Sequence, residues 1–121
     1  MNKILKGKVD FGKQLGRTIG FPTANMEVEG EVWESAGVYY GRCTLDGQVY
    51  RVIINIGRHP TVPEGAPTVE AHLIGFEGDL YGQEIEVELI RYLRSEVKFA
   101  SVEDLKAQLE KDRAAAMELP I

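Results

Sequence analysis

The run Glu84-Ile85-Glu86-Val87-Glu88-Leu89 alternates acidic and aliphatic residues without a break. In an extended chain successive side chains leave on opposite faces. The three glutamates therefore share one face, and Ile85, Val87 and Leu89 share the other. This period of two predicts a strand over Glu84 to Leu93, in a sheet with one wet face and one apolar face. Such a strand needs partners, and the rest of the chain offers them. Gly37 to Leu45 and Gln48 to Ile56 are rich in Val, Ile, Tyr, Cys and Thr, with Asp46-Gly47 between them. A two-residue turn that requires φ > 0 at both central positions favours that dipeptide, so the segment reads as a hairpin.

Ile4 to Phe11, Ala24 to Val28 and Val69 to Phe76 read as further strands. The C-terminal part changes period. Ser101 can cap a helix whose first turn carries Glu103 and Asp104. Val102, Leu105 and Leu109 form a stripe to pack on the sheet. Ala114 to Ala116 sustain the helix to about 118, ahead of Pro120. Close-set short strands with turn punctuation suggest a closed or nearly closed antiparallel barrel, which periodicity alone does not separate from a sandwich. Residues 1–121 read as one domain, without repeat or linker.

The single cysteine, Cys43, excludes an internal disulfide and a Cys-rich zinc site, and its apolar strand neighbours suit an inert buried thiol. No apolar run reaches the length that spans a bilayer, and the N-terminus lacks the apolar core of a signal peptide. The expected location is therefore cytoplasmic, with no membrane partner. A net charge of −5 argues against a general nucleic-acid binder. It leaves room for a local basic patch that holds an anionic ligand.

Gly12 to Asn25 offers such a patch. Gly12, Gly16 and Gly20 let a backbone approach a ligand closely. Lys13 and Arg17 stand among them, and Pro22-Thr23-Ala24-Asn25 follows. A Thr hydroxyl and an Asn amide at i and i+2 are oxygen donors of the kind Mg²⁺ accepts, and on extended backbone they share a face. The alternative is an ordinary turn after a proline. Gly7 to Lys13 matches a P-loop spacing until Gln14, where Ser or Thr would be needed, and the glycines and Pro22 beyond forbid the helix a P-loop opens. Glu70 lies in a strand of otherwise apolar or neutral residues, on a face that becomes apolar through His72, Ile74 and Phe76. His59 and His72 do not form a metal pair and read as satisfied polar residues. Asn55 either bonds loop backbone or lines a nucleotide site. Trp33, among acidic residues, has no assigned role.

The order of these segments resembles the riboflavin kinase (flavokinase) family. The resemblance rests on Gly16-Arg17 and Gly20-Phe21-Pro22-Thr23-Ala24-Asn25, on Asn55-Ile56-Gly57-Arg58-His59-Pro60-Thr61 and on Val69-Glu70-Ala71-His72-Leu73. Asp79-Leu80-Tyr81-Gly82 and Leu93-Arg94-Ser95-Glu96-Val97-Lys98-Phe99 complete it, from about Gly7 to Leu119. Ser95 stands where the family often has proline.

The resemblance implies a six-stranded antiparallel Greek-key barrel with the C-terminal helix packed on it. It implies transfer of the γ-phosphate of ATP to the 5′-hydroxyl of riboflavin, giving FMN and ADP, with Mg²⁺ held through Thr23 and Asn25. Gly12, Gly16, Arg17, Gly20, Thr23 and Asn25 would bind the nucleotide phosphates. Glu70 would be the general base, and Arg94 and Phe99 would lie on the flavin side. A non-catalytic flavin or nucleotide sensor, or an adaptor with a vestigial pocket, is the alternative on the same barrel. Bacterial relatives often join this domain to an FAD synthetase domain, a possible partner. A monomer is the expected state.

Overall fold

The computed structural model describes residues 3–10, 24–28, 36–57, 68–76, 82–95 and 100–118. The described strands are β1 (Lys3–Asp10), β2 (Ala24–Val28), β3 (Gly37–Leu45), β4 (Gln48–Gly57), β5 (Thr68–Leu73) and β6 (Glu84–Arg94). One helix follows, α1 (Val102–Glu118). The strands close into a barrel in the order β1-β2-β5-β4-β3-β6. Every pairing is antiparallel. β3, β4 and β5 neighbour one another in sequence order, while β2 returns beside β5 and β6 beside β3. Each return completes a Greek key, as the resemblance implied.

The alternation read in the sequence decides what the barrel encloses. Ile85, Val87 and Leu89 are buried inside it with Leu5, Val9, Met26, Cys43, Val52, Ile54, Ile56, Val69 and Ala71. Glu84 and Glu88 point outward and pair with Lys6 at 3.0 Å and Arg42 at 2.9 Å. The hairpin turns at Asp46 (φ 50°) and Gly47 (φ 81°), the left-handed pair its sequence requires.

β6 does not keep its alternation to the end. Tyr40 pairs with Arg91 and Gly41 with Leu89, so Ile90 is an extra residue; Leu93 is extra in the same way. The two bulges shift the apolar side chains of β6 from the interior to the outside. There Ile90, Leu93 and Ile74 pack on a second cluster made by Val38, Tyr40, Ile53 and Ala116 of α1. Gly41 lies at one of these shifts, where a Cβ would collide with the Glu88 carbonyl oxygen.

Two expectations are corrected. β5 ends at Leu73 rather than Phe76, because Ile74 and Gly75 turn the chain, with Gly75 at φ 84°. Phe76 instead stacks edge-on against Tyr50, ring centroids 5.5 Å apart. The helix starts as predicted, with the Asp104 amide donating to Ser101 Oγ at 3.1 Å. Among its described side chains, however, Asp112 and Ala116 are the buried ones, while Leu105 and Leu109 are half-buried. The aliphatic stripe is thus flanked by a buried carboxylate.

Candidate active site

Antiparallel pairing places Gly37, Gly57, Thr68 and Arg94 at one end of the barrel, and Asp10 and Ala24 at the other, with Leu73 and Glu84. Each is the first or last residue of its strand. The connection 11–23 joins strand ends at the Asp10 end, and 58–67 joins them at the Gly37 end. The segment after Arg94 leaves from it toward α1.

The polar candidates form one row across neighbouring strands, in register. Asn25 on β2 pairs with Glu70 on β5. Glu70 pairs on its other side with Asn55 on β4, Asn55 with Val38 on β3, and Val38 with Arg94 on β6. Residues directly opposite on neighbouring strands point to the same face. The interior positions are Met26, Val69, Ala71, Ile54 and Ile56, so this row faces outward. Asn25 and Asn55 thus flank the Glu70 side chain, each with its Cβ about 5 Å from that of Glu70.

The next row on this face, toward Leu73, is buried. His72 pairs with Ile53, and Ile53 with Tyr40, and all three are buried. Ile53 and Tyr40 lie in the cluster that α1 covers. Glu70 and Asn55 therefore stand at the margin of a covered apolar patch. Both are half-buried. The expected drift of the Glu70 face toward apolar character is thus observed through His72 and Ile74, with Phe76 beyond the strand's end. Asn55 Oδ1 is buried and has no hydrogen-bond partner among the described residues.

Arg94 lies three strands from Glu70, roughly 14 Å around the sheet. Its guanidinium forks onto Asp112 of α1, Nε donating to Oδ1 at 3.0 Å and Nη2 to Oδ2 at 2.8 Å. Nη1 donates to the Ser95 carbonyl at 3.0 Å, and Gln108 Nε2 donates to Asp112 Oδ1 at 3.0 Å. The ion pair ties the end of β6 to the third turn of the helix. Asp112 was not singled out from the sequence. The available signal was its i, i+4 spacing from Gln108 and to Ala116 along the packed face.

Gly12, Gly16, Arg17, Gly20, Thr23 and Phe99 lie outside the described residues, as do His59 and Trp33. Cys43 is fully buried in the interior, and burial, with the nearby Glu86 charge adding to it, pushes its thiol up to about 11. Among the described residues there is no cluster of three or more His, Cys, Asp or Glu that could hold a metal ion. Nor is any described helix long and apolar enough to cross a membrane.

The barrel and its C-terminal helix agree with what the chain is similar to. The flavokinase family profile, described as riboflavin kinase, matches residues 2–119. A bifunctional riboflavin kinase/FMN adenylyltransferase of Haemophilus influenzae is 43% identical over 107 residues, covering 88% of this chain and 35% of that protein. The crystal structure of riboflavin kinase from Trypanosoma brucei aligns over 95% of this chain and 77% of that one, with a TM-score of 0.67 and 26% identity. A Streptococcus pneumoniae structure described as a macrolide-efflux protein aligns over 98% of this chain, with a TM-score of 0.91 and 29% identity. The shared fold is 40% of that chain, so its description assigns no activity to this fold in particular. The chain spans about a third of the length of the Haemophilus influenzae relative, and a similar share of the bifunctional enzyme of Escherichia coli, to which it is 41% identical.

Proposed function

This chain belongs to the riboflavin kinase family, and from that premise we propose that it transfers the γ-phosphate of ATP to the 5′-hydroxyl of riboflavin, giving FMN and ADP. One observation carries the reading: Asn25 and Glu70 stand directly opposite each other on one face of adjacent strands. An oxygen donor for a nucleotide-bound cation and a carboxylate for the acceptor alcohol thereby share one face.

Phosphoryl transfer asks a protein mainly for positioning and for charge stabilisation. In this reading Glu70 holds the 5′-hydroxyl in line with the γ-phosphate and takes its proton as the new P–O bond forms. Asn25 fits Mg²⁺ as a neutral oxygen ligand, because Mg²⁺ keeps several waters and is bound largely through substrate phosphates, without a cage of carboxylates. Thr23, two residues earlier, would be its companion. When bound, Mg²⁺ neutralises charge on the phosphate oxygens. The glycines and Arg17 of the 11–23 connection, which begins and ends beside the Asp10–Asn25 pair, would hold the phosphates.

Arg94 contributes here through what it anchors. Its fork on Asp112 fixes the start of the segment that leads to Phe99, the proposed flavin-side wall. A cytoplasmic setting supplies the ATP. An FMN adenylyltransferase, such as the relatives carry, is the natural consumer of the product.

The test is incubation with riboflavin, ATP and Mg²⁺, followed by chromatography for FMN. FMN that depends on all three supports the kinase. Tight flavin binding with no FMN would instead make the chain a sensor.

A further inference from the structure

We propose that Asn55 is a third polar member of the site, and that its Oδ1 accepts a hydrogen bond from a hydroxyl of the acceptor polyol next to the one Glu70 engages. The identity of that polyol, riboflavin, rests on the kinase reading above. The placement of Asn55 does not, since it follows from the register of β4 and β5.

Three observations converge. Asn55 pairs directly with Glu70, on the side opposite Asn25, so the carboxylate is flanked by an amide on each neighbouring strand. The other neighbour of Asn55 is Val38, a buried aliphatic residue, so one side of the amide is dry. Its Oδ1 is removed from solvent yet meets no donor among the described residues. A buried acceptor left unmatched is costly, and a strand position like this one would favour Val or Ile on stability grounds alone. The atom that lacks a donor is an acceptor, and the class of molecule that brings donors beside a carboxylate-bound alcohol is a polyol.

The division of labour is then chemical. Glu70 receives the proton of the reacting hydroxyl, which has only one to give. A neighbouring hydroxyl therefore needs its own acceptor, about one strand spacing away, and Asn55 stands there. Holding two hydroxyls fixes the rotation of the chain end, which a single contact leaves free. An alcohol without a vicinal hydroxyl gains nothing from Asn55, so the residue also selects for polyols.

The experiment is Asn55→Leu, a swap of similar size, read by thermal unfolding and by kinetics with riboflavin and ATP varied separately. The expected result is a Tm equal to or above the parent's, a KM for riboflavin about tenfold higher, and an unchanged KM for ATP. A lowered Tm with an unchanged riboflavin KM overturns the inference and makes Asn55 a strut of the barrel. Where Asn55→Leu does not fold, Asn55→Thr retains an acceptor oxygen on a residue suited to strands, and Asn55→Val lacks it. A riboflavin KM nearer the parent's for Thr than for Val supports the contact, and equal values refute it. Failure of the parent to form FMN would reject the kinase reading instead. Fluorescence titration of riboflavin against parent and variants would then still test the Asn55 contact by itself.

Discussion

Glu70 on β5 faces Asn25 on β2 across one antiparallel rung, at the barrel rim from which the 11–23 connection departs and to which it returns. The two residues are 45 positions apart in the chain (70 − 25) and meet only because β2 crosses to lie beside β5. The catalytic reading depends on that crossing.

Replacing Glu70 by Gln keeps the shape and removes the base. Turnover should fall by roughly 10²–10⁴, while riboflavin binding, followed by quenching of flavin fluorescence, stays near the parent's. A variant that makes FMN at the parental rate would dismiss Glu70 as the base.

Asn25→Ala removes a neutral oxygen on the nucleotide side. The KM for ATP in Mg²⁺ should rise on the order of tenfold, with the riboflavin KM little changed. The same experiment on Thr23→Ala should give the same pattern, because the two residues are expected to serve one cation. A selective effect on riboflavin would assign Asn25 to the acceptor instead.

Asp112→Ala leaves the Arg94 fork without its carboxylate. Asp112 is 5% exposed and the Arg94 side chain 21%, so the pair is largely but not fully removed from water. Breaking a buried pair from one side costs about 3–5 kcal/mol, and the exposure of Arg94 discounts this to about 2–3 kcal/mol. Urea unfolding would measure it. A loss below about half a kcal/mol would show that the helix is held by Ala116 and its apolar neighbours alone.

Cys43 is buried and its thiol is pushed up from 9.0 to about 11. The folded chain therefore keeps this proton between those values, while the unfolded chain releases it. Ionisation favours the unfolded state over that window, so stability present below pH ~9 should decline toward pH ~11. Cys43→Ala should flatten this part of the curve. In the folded protein the thiol should also resist a disulfide reagent at pH 8 and react fully in guanidinium. Rapid reaction under native conditions would refute the inert reading.

The strands were legible where local chemistry and tertiary packing agree. Glu84 to Leu89 alternates because one face meets the core, and Asp46-Gly47 turns because few dipeptides accept two left-handed residues. β5 was overextended because the Ile74 to Phe76 run looks like strand, while the left-handed Gly75 carries no side-chain signal of its own. The end of β6 was legible as strand but not as bulged strand. Whether Ile90 and Leu93 face in or out depends on a pairing with β3 that no local pattern records.

The candidate site divides along the same line. Residue type marked Asn25 and Glu70 as able to serve, because metal and proton chemistry restricts which side chains can, and the family resemblance gave them their proposed roles. Those restrictions left Asn55 undecided between two roles and left Asp112 unnoticed. Each takes its meaning from a neighbour far along the chain: Asn55 from Glu70 across a rung, Asp112 from Arg94 across a helix–sheet interface. Sequence by itself determined the periods, the turns and the chemical repertoire, since these follow from the covalent chain and its nearest neighbours. Only the closed barrel decided which of those groups share a face, because strand order and register are set by burying the whole apolar interior at once.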